Sequence, residues 1–116
     1  MAERRIRIMA RFARRYDVYV PLAYNDGRRI PDGKLHAVER RLMARFGGLT
    51  MQQRKFPLQG IWQGETRLYL DRVIVMTVLD FRTQGSGRFI AQLKKKLLAE
   101  FEQLEILITE SPMRVH

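Results

Sequence analysis

Cysteine is absent from this 116-residue chain, so disulfide staples, thiolate metal sites and thiol nucleophiles are excluded at the outset. Histidine is almost as scarce: His36 sits inside a helical pattern and His116 is the last residue, with no second ligand at metal-binding spacing. The sequence therefore predicts no metal and no cofactor. Apolar runs of the roughly 18–20 residues that span a bilayer are also missing, and Arg7 and Arg11 interrupt the start (IRIMARFA) where a secretion signal would be apolar. The expectation is a cytoplasmic protein with no membrane contact. Acidic residues are few, 12 against 22 basic ones, for a net charge of +10.

What is present in excess is arginine. Six arginines fall in the first fifteen residues: Arg4, Arg5, Arg7, Arg11, Arg14 and Arg15. Guanidinium is permanently charged and offers a two-pronged donor set that matches phosphate. Arg28 and Arg29 follow a turn (Asn25-Asp26-Gly27), Arg41 and Arg45 share a helix face with Lys34, and Lys94, Lys95 and Lys96 are consecutive. Each cluster alone reads as a solvated surface. Together they point to a polyanionic partner. The last seventeen residues run the other way, with Glu100, Glu102, Glu105 and Glu110 against Arg114.

The order of elements is read from periodicity. Residues 17–24 alternate as a strand, and Asp32 is placed to cap a helix carrying Leu35, Val38, Leu42, Met43 and Phe46, which Gly47-Gly48 ends. A second strand is expected from Leu49 to Phe56, and the strongest strand signal lies over 67–81. Thr83–Gly87 opens a second helix with Phe89, Ile90, Leu93, Leu97, Phe101 and Leu104 on its stripe, and Glu105–Thr109 forms the last strand. The sequence predicts an α+β, ferredoxin-like β-α-β-β-α-β sandwich: an antiparallel sheet with two helices on one face. Residues 1–16 are set apart as a basic N-terminal extension, an arm or extra strand, and 17–116 as one domain.

The strand over 67–81 is apolar on both sides, which calls for cover on both sides. Another subunit or protein partner, the N-terminal segment or a ligand should supply that cover, and Ile74, Met76 and Val78, with Trp62, are assigned to the interface. Several stretches resemble a family of small uncharacterised bacterial proteins of ferredoxin-like fold: Pro21-Leu22-Ala23-Tyr24-Asn25-Asp26-Gly27, Phe46-Gly47-Gly48-Leu49-Thr50, Gly60-Ile61-Trp62, Tyr69-Leu70-Asp71 and Ile106-Leu107-Ile108-Thr109. The resemblance implies the topology and transfers no activity. The arginine-rich start lies outside its pattern.

Chemistry-bearing constellations are sparse. Gly85-Ser86-Gly87-Arg88 opens a helix where backbone N–H groups favour an anion, yet it matches no nucleotide-binding fingerprint. Ser86 and Ser111 have no base near them in sequence, and no catalytic residue is assigned. Tyr16, Tyr19, Tyr24, Trp62 and Tyr69 lie on or beside strands, where RNA-recognition sheets stack bases. The leading expectation is a non-enzymatic nucleic-acid-binding (RNA or DNA) and assembly module working through Arg4, Arg5, Arg7, Arg11, Arg14, Arg15, Arg28, Arg29, Arg41, Arg45, Lys94 and Lys95. Three alternatives stand beside it. One is a dimeric α+β-barrel-type small-molecule enzyme or binding protein with Tyr24, Trp62, Asp71 or His36 lining its site. Another is a protein-binding subunit of a toxin–antitoxin or phage-defence system. The last is a small CRISPR-associated-type nuclease using Asp26.

Overall fold

The computed structural model describes residues 11–116, and its first strand begins at the first of them. Strand β1 runs Arg11–Pro21, followed by helix α1 (Asp32–Phe46), β2 (Thr50–Met51), β3 (Leu58–Gln63), β4 (Leu68–Asp80), helix α2 (Gly87–Glu100) and β5 (Ile108–Val115). The strands form one five-stranded antiparallel sheet in the order β2-β4-β1-β5, with β3 also paired to β4. This α+β arrangement is consistent with a ferredoxin-like class. The division drawn between Tyr16 and Asp17 falls within β1, where Arg14 and Arg15 pair with β4 on one side and β5 on the other.

The register of β1 on β4 decides which residues are inside. Tyr16, Val18 and Val20 stand opposite Val78, Met76 and Ile74, and opposed residues share a face of the sheet. All six are essentially inaccessible and cluster with Leu35, Val38 and Leu42 of α1 and Leu93 and Leu97 of α2. The interface assigned to Ile74, Met76 and Val78 is thus corrected: they are core residues beneath the helices. Both alternate sets of β4 are apolar, so its own sequence does not separate them. The partner strand does, because Arg15, Asp17 and Tyr19 accompany Val73, Val75, Thr77 and Leu79 on the opposite face.

Local chemistry explains the altered boundaries. Pro31, with φ −61° and ψ 146°, occupies the cap position of α1, and Asp32 is the first helical residue rather than the cap. Gly47 ends the helix as expected, at φ 76°, its N–H donating to the Met43 carbonyl. β2 is only two residues long because the Gln52 side chain takes over the pairing, its Oε1 accepting the Val75 N–H at 2.7 Å. β5 continues past Thr109 through Pro112. It pairs with β1 alone among the described strands, so a proline without an N–H is tolerated on its outer side.

β1 reaches β4 only from Val73 to Asp80. Apart from the Arg72 carbonyl, which accepts the Leu22 N–H at 3.0 Å, Leu68–Arg72 pair with β3 alone, making a two-stranded arm closed by the Gly64 N–H to the Arg67 carbonyl at 2.9 Å. No helix among the described residues is long and apolar enough to cross a membrane.

The core assignment has a direct check. Truncating buried Ile74 to Ala is expected to cost about 2–4 kcal/mol of unfolding free energy in a denaturant titration. Leu70→Ala, five-eighths exposed on the arm, is expected to change it by less than about 1 kcal/mol.

Candidate functional site

The arginines expected to meet phosphate are largely engaged within the chain. Arg14 binds Glu110 at 2.7 Å, Arg15 binds Asp17 at 3.1 Å, and Arg28 binds Asp26 at 2.6 Å while lying over the Tyr24 ring. Arg29 reaches Asp32 at 3.2 Å, Arg41 grips Glu100 through two bonds of 2.8 and 2.7 Å, and Lys94 meets Glu105 at 2.7 Å. Arg45 donates to the Ser86 hydroxyl at 2.9 Å, and Arg11 stacks on Phe81 at 4.1 Å. Lys95 is exposed. Arg4, Arg5 and Arg7 lie outside the described residues. The paired cations are turned onto the protein's own groups rather than gathered on one free face.

The Gly85–Arg88 turn likewise has an internal occupant. Ser86 donates its hydroxyl to Asp80 Oδ2 at 2.7 Å, and the Arg82 backbone N–H donates to Asp80 Oδ1 at 3.1 Å. Burial pushes the Asp80 carboxyl up, but the Ser86 hydroxyl and the Arg82 backbone and guanidinium outweigh it, so it sits below the usual aspartate range. This network docks the start of α2 on the end of β4. Asp26 is also committed: the Arg28 backbone N–H and guanidinium hold its carboxyl low, which leaves no free carboxylate there for a nuclease.

An open cleft of about 1240 Å³ lies at the far end of the sheet. Its floor and walls come from the end of β1, the β1–α1 loop, the β2–β3 loop, the start of β4 and the α2–β5 turn. The loops are laced together. Asn25 Nδ2 donates to the Glu102 carbonyl at 3.2 Å, and Gln103 Nε2 donates to the Phe101 and Ala23 carbonyls at 3.0 and 3.4 Å. Glu102 adopts φ 51°, a left-handed conformation unusual for a residue with a side chain. Arg54 donates to the Leu22 and Ile30 carbonyls and to Asp32, tying the β2–β3 loop to this end.

Of the cleft residues anticipated from sequence, Tyr24 and Asp71 are in place. Trp62 lies on the arm, and His36 pairs with Glu39 at 3.2 Å on the exposed side of α1. Arg54, Lys55 and Gln103 were not anticipated; nothing local marks them, since long-range loop packing alone brings them to the cleft. Asp71 differs from its peers. Every other carboxylate among the described residues meets Arg, Lys or His within 3.7 Å, except Glu65 at the hairpin turn. Asp71 is uncommitted in a chain rich in cations, and it faces a cleft. Among the described residues, no three His, Cys, Asp or Glu side chains cluster as metal ligands.

No protein-family model matches the chain, and no curated protein matches it. Among solved structures, it is similar to a phage SAM lyase in complex with S-methyl-5'-thioadenosine: TM-score 0.58, 13% identity, covering 89% of this chain and 88% of that one. At that identity the likeness concerns the fold. An enzyme built on this fold, together with arginines tied to internal carboxylates, overturns the expectation of a non-enzymatic nucleic-acid-binding module.

The Asp80 network predicts an acid-sensitive fold. A carboxylate whose folded pKa is depressed stabilises the native state above its ordinary value of 3.8, and that stabilisation is lost as pH falls through the folded value. Asp80→Asn is expected to lower stability at neutral pH by about 1–3 kcal/mol. In acid titrations followed by circular dichroism, it should also flatten the decline expected of wild type below pH 4.

Proposed function

We propose that this protein is a small-molecule enzyme, a lyase acting on a sulfonium nucleoside of the S-adenosylmethionine kind, with the cleft beside Asp71 as its site. The observation that carries the reading is the uncommitted Asp71 carboxylate in a cleft whose other charged groups are already paired or cationic. Such a group has its charge available for a cationic ligand. The similar fold of a phage SAM lyase in complex with S-methyl-5'-thioadenosine supports the choice of substrate. The architecture is read as ferredoxin-like, with β2 and β3 together in the place of one edge strand, and a cytoplasmic setting suits the substrate.

The chemistry asks little of the protein. The bond between the sulfonium sulfur and the γ-carbon of the aminobutyrate arm breaks, and its electron pair goes to sulfur, releasing neutral S-methyl-5'-thioadenosine. The substrate's own carboxylate oxygen attacks that γ-carbon and closes a lactone that keeps the ammonium, so one net positive charge enters and one leaves. No side-chain nucleophile is consumed, which accords with a cysteine-free chain whose Ser86 is buried against Asp80. Asp71 holds the ammonium and helps fold the arm back on itself, the contribution that proximity makes to ring closure. Tyr69, 45% exposed with Arg67 at 4.6 Å over its ring, offers an aromatic surface for the base.

Incubation with S-adenosylmethionine, followed by chromatography for S-methyl-5'-thioadenosine, tests the reading. Wild type is expected to form it, and Asp71→Asn to lose roughly 10- to 100-fold in kcat/KM, the worth of one charged hydrogen bond. The melting temperature should not move, since Asp71 makes no internal ion pair among the described residues. No product from wild type, or full activity in the variant, contradicts the assignment.

A further inference from the structure

The arm formed by β3 and Leu68–Arg72 is apolar on both sides. Ile61, Leu68 and Leu70 are 62%, 58% and 64% exposed on one side, and Leu58, Trp62 and Tyr69 are each 45% exposed on the other. Phe56, at the base, is 73% exposed. Large apolar side chains grouped on a two-stranded arm, rather than scattered singly, mark an interaction surface. The outer edge of β3 is unpaired among the described strands, so its backbone groups are also available.

Charge identifies the occupant. Residues 56–73 hold Glu65 and Asp71 against Arg67 and Arg72 and are neutral, within a chain of +10. A polyanion or an acidic protein would be drawn to the cationic remainder, not here. Two copies of this chain repel each other over most of their surface, and the arm is where that repulsion vanishes and apolar contact is offered. We infer that the arm is a self-association surface, packing against the arm of a second copy of this chain. The interface expected at the sheet interior is thereby moved outward, to Trp62 and its neighbours. The inference does not depend on the reaction proposed for the cleft, though Tyr69 and Leu70 belong both to the arm and to the cleft wall.

Sedimentation equilibrium of the full chain across micromolar concentrations is the test. Wild type should show at least twice the single-chain mass of 13.8 kDa, and the emission of Trp62, the sole tryptophan, should shift to shorter wavelength as concentration rises. In the double variant Ile61→Lys, Leu70→Glu, opposite charges face each other across the hairpin and keep it paired. Self-association should weaken by about 100-fold or more, with the circular dichroism spectrum unchanged. Met43→Glu, which alters a half-exposed residue on α1 outside the arm and the cleft, should leave the mass as in wild type. A wild-type mass of one chain throughout, or a double variant that keeps the wild-type mass, overturns the inference. Wild type that stays single in solution but sediments with phosphatidylcholine vesicles overturns it in favour of a lipid surface.

Discussion

The antiparallel pairing of β1 with β4 is the constraint from which the other features follow. Its register places Tyr16, Val18 and Val20 beside Val78, Met76 and Ile74, and that shared apolar face gives both helices something to bury against. The pairing also stops at Pro21 and Val73 while β4 extends five residues further toward its start. Those residues must pair with β3 instead. The arm and one wall of the cleft both result from this offset between two central strands of unequal reach.

Charge is settled by pairing rather than by display. Arg41 and Glu100 are 59 positions apart, and Arg14 and Glu110 are 96 apart, yet each pair joins elements that the sheet and helices bring together. Exposed ion pairs contribute little stability one by one. Their larger effect here is on recognition, because a guanidinium bound to an internal carboxylate has less to offer a phosphate. Against that background an unclaimed carboxylate stands out more than a surplus of cations does, and Asp71 is the one in a concave setting.

The elements with strong local signals were legible in the sequence. The β-branched run of β4, the apolar stripe of α1 and its arrest at Gly47 all follow from periodicity and backbone preference. Features set by distant contacts were not. The shortening of β2 depends on Gln52 capturing the Val75 N–H, and the length of β5 depends on β1 continuing back to Arg11. The inward set of β4 was misassigned because both its faces are apolar and only the polarity of β1 separates them. Tyr24 and Asp71 were identifiable as cleft candidates. That Asp71 alone among the cleft carboxylates lacks a cation could be seen only once every pair was placed.

The claim that Asp71 gives the cleft a preference for positive charge is tested most directly by calorimetry on wild type and Asp71→Asn. S-adenosylmethionine is titrated at low temperature, where turnover is slow, and compared with neutral S-methyl-5'-thioadenosine. The account predicts that wild type binds the cation more tightly than the neutral thioether and that the substitution abolishes the difference. Equal affinities in wild type, or an undiminished preference in Asp71→Asn, would contradict it.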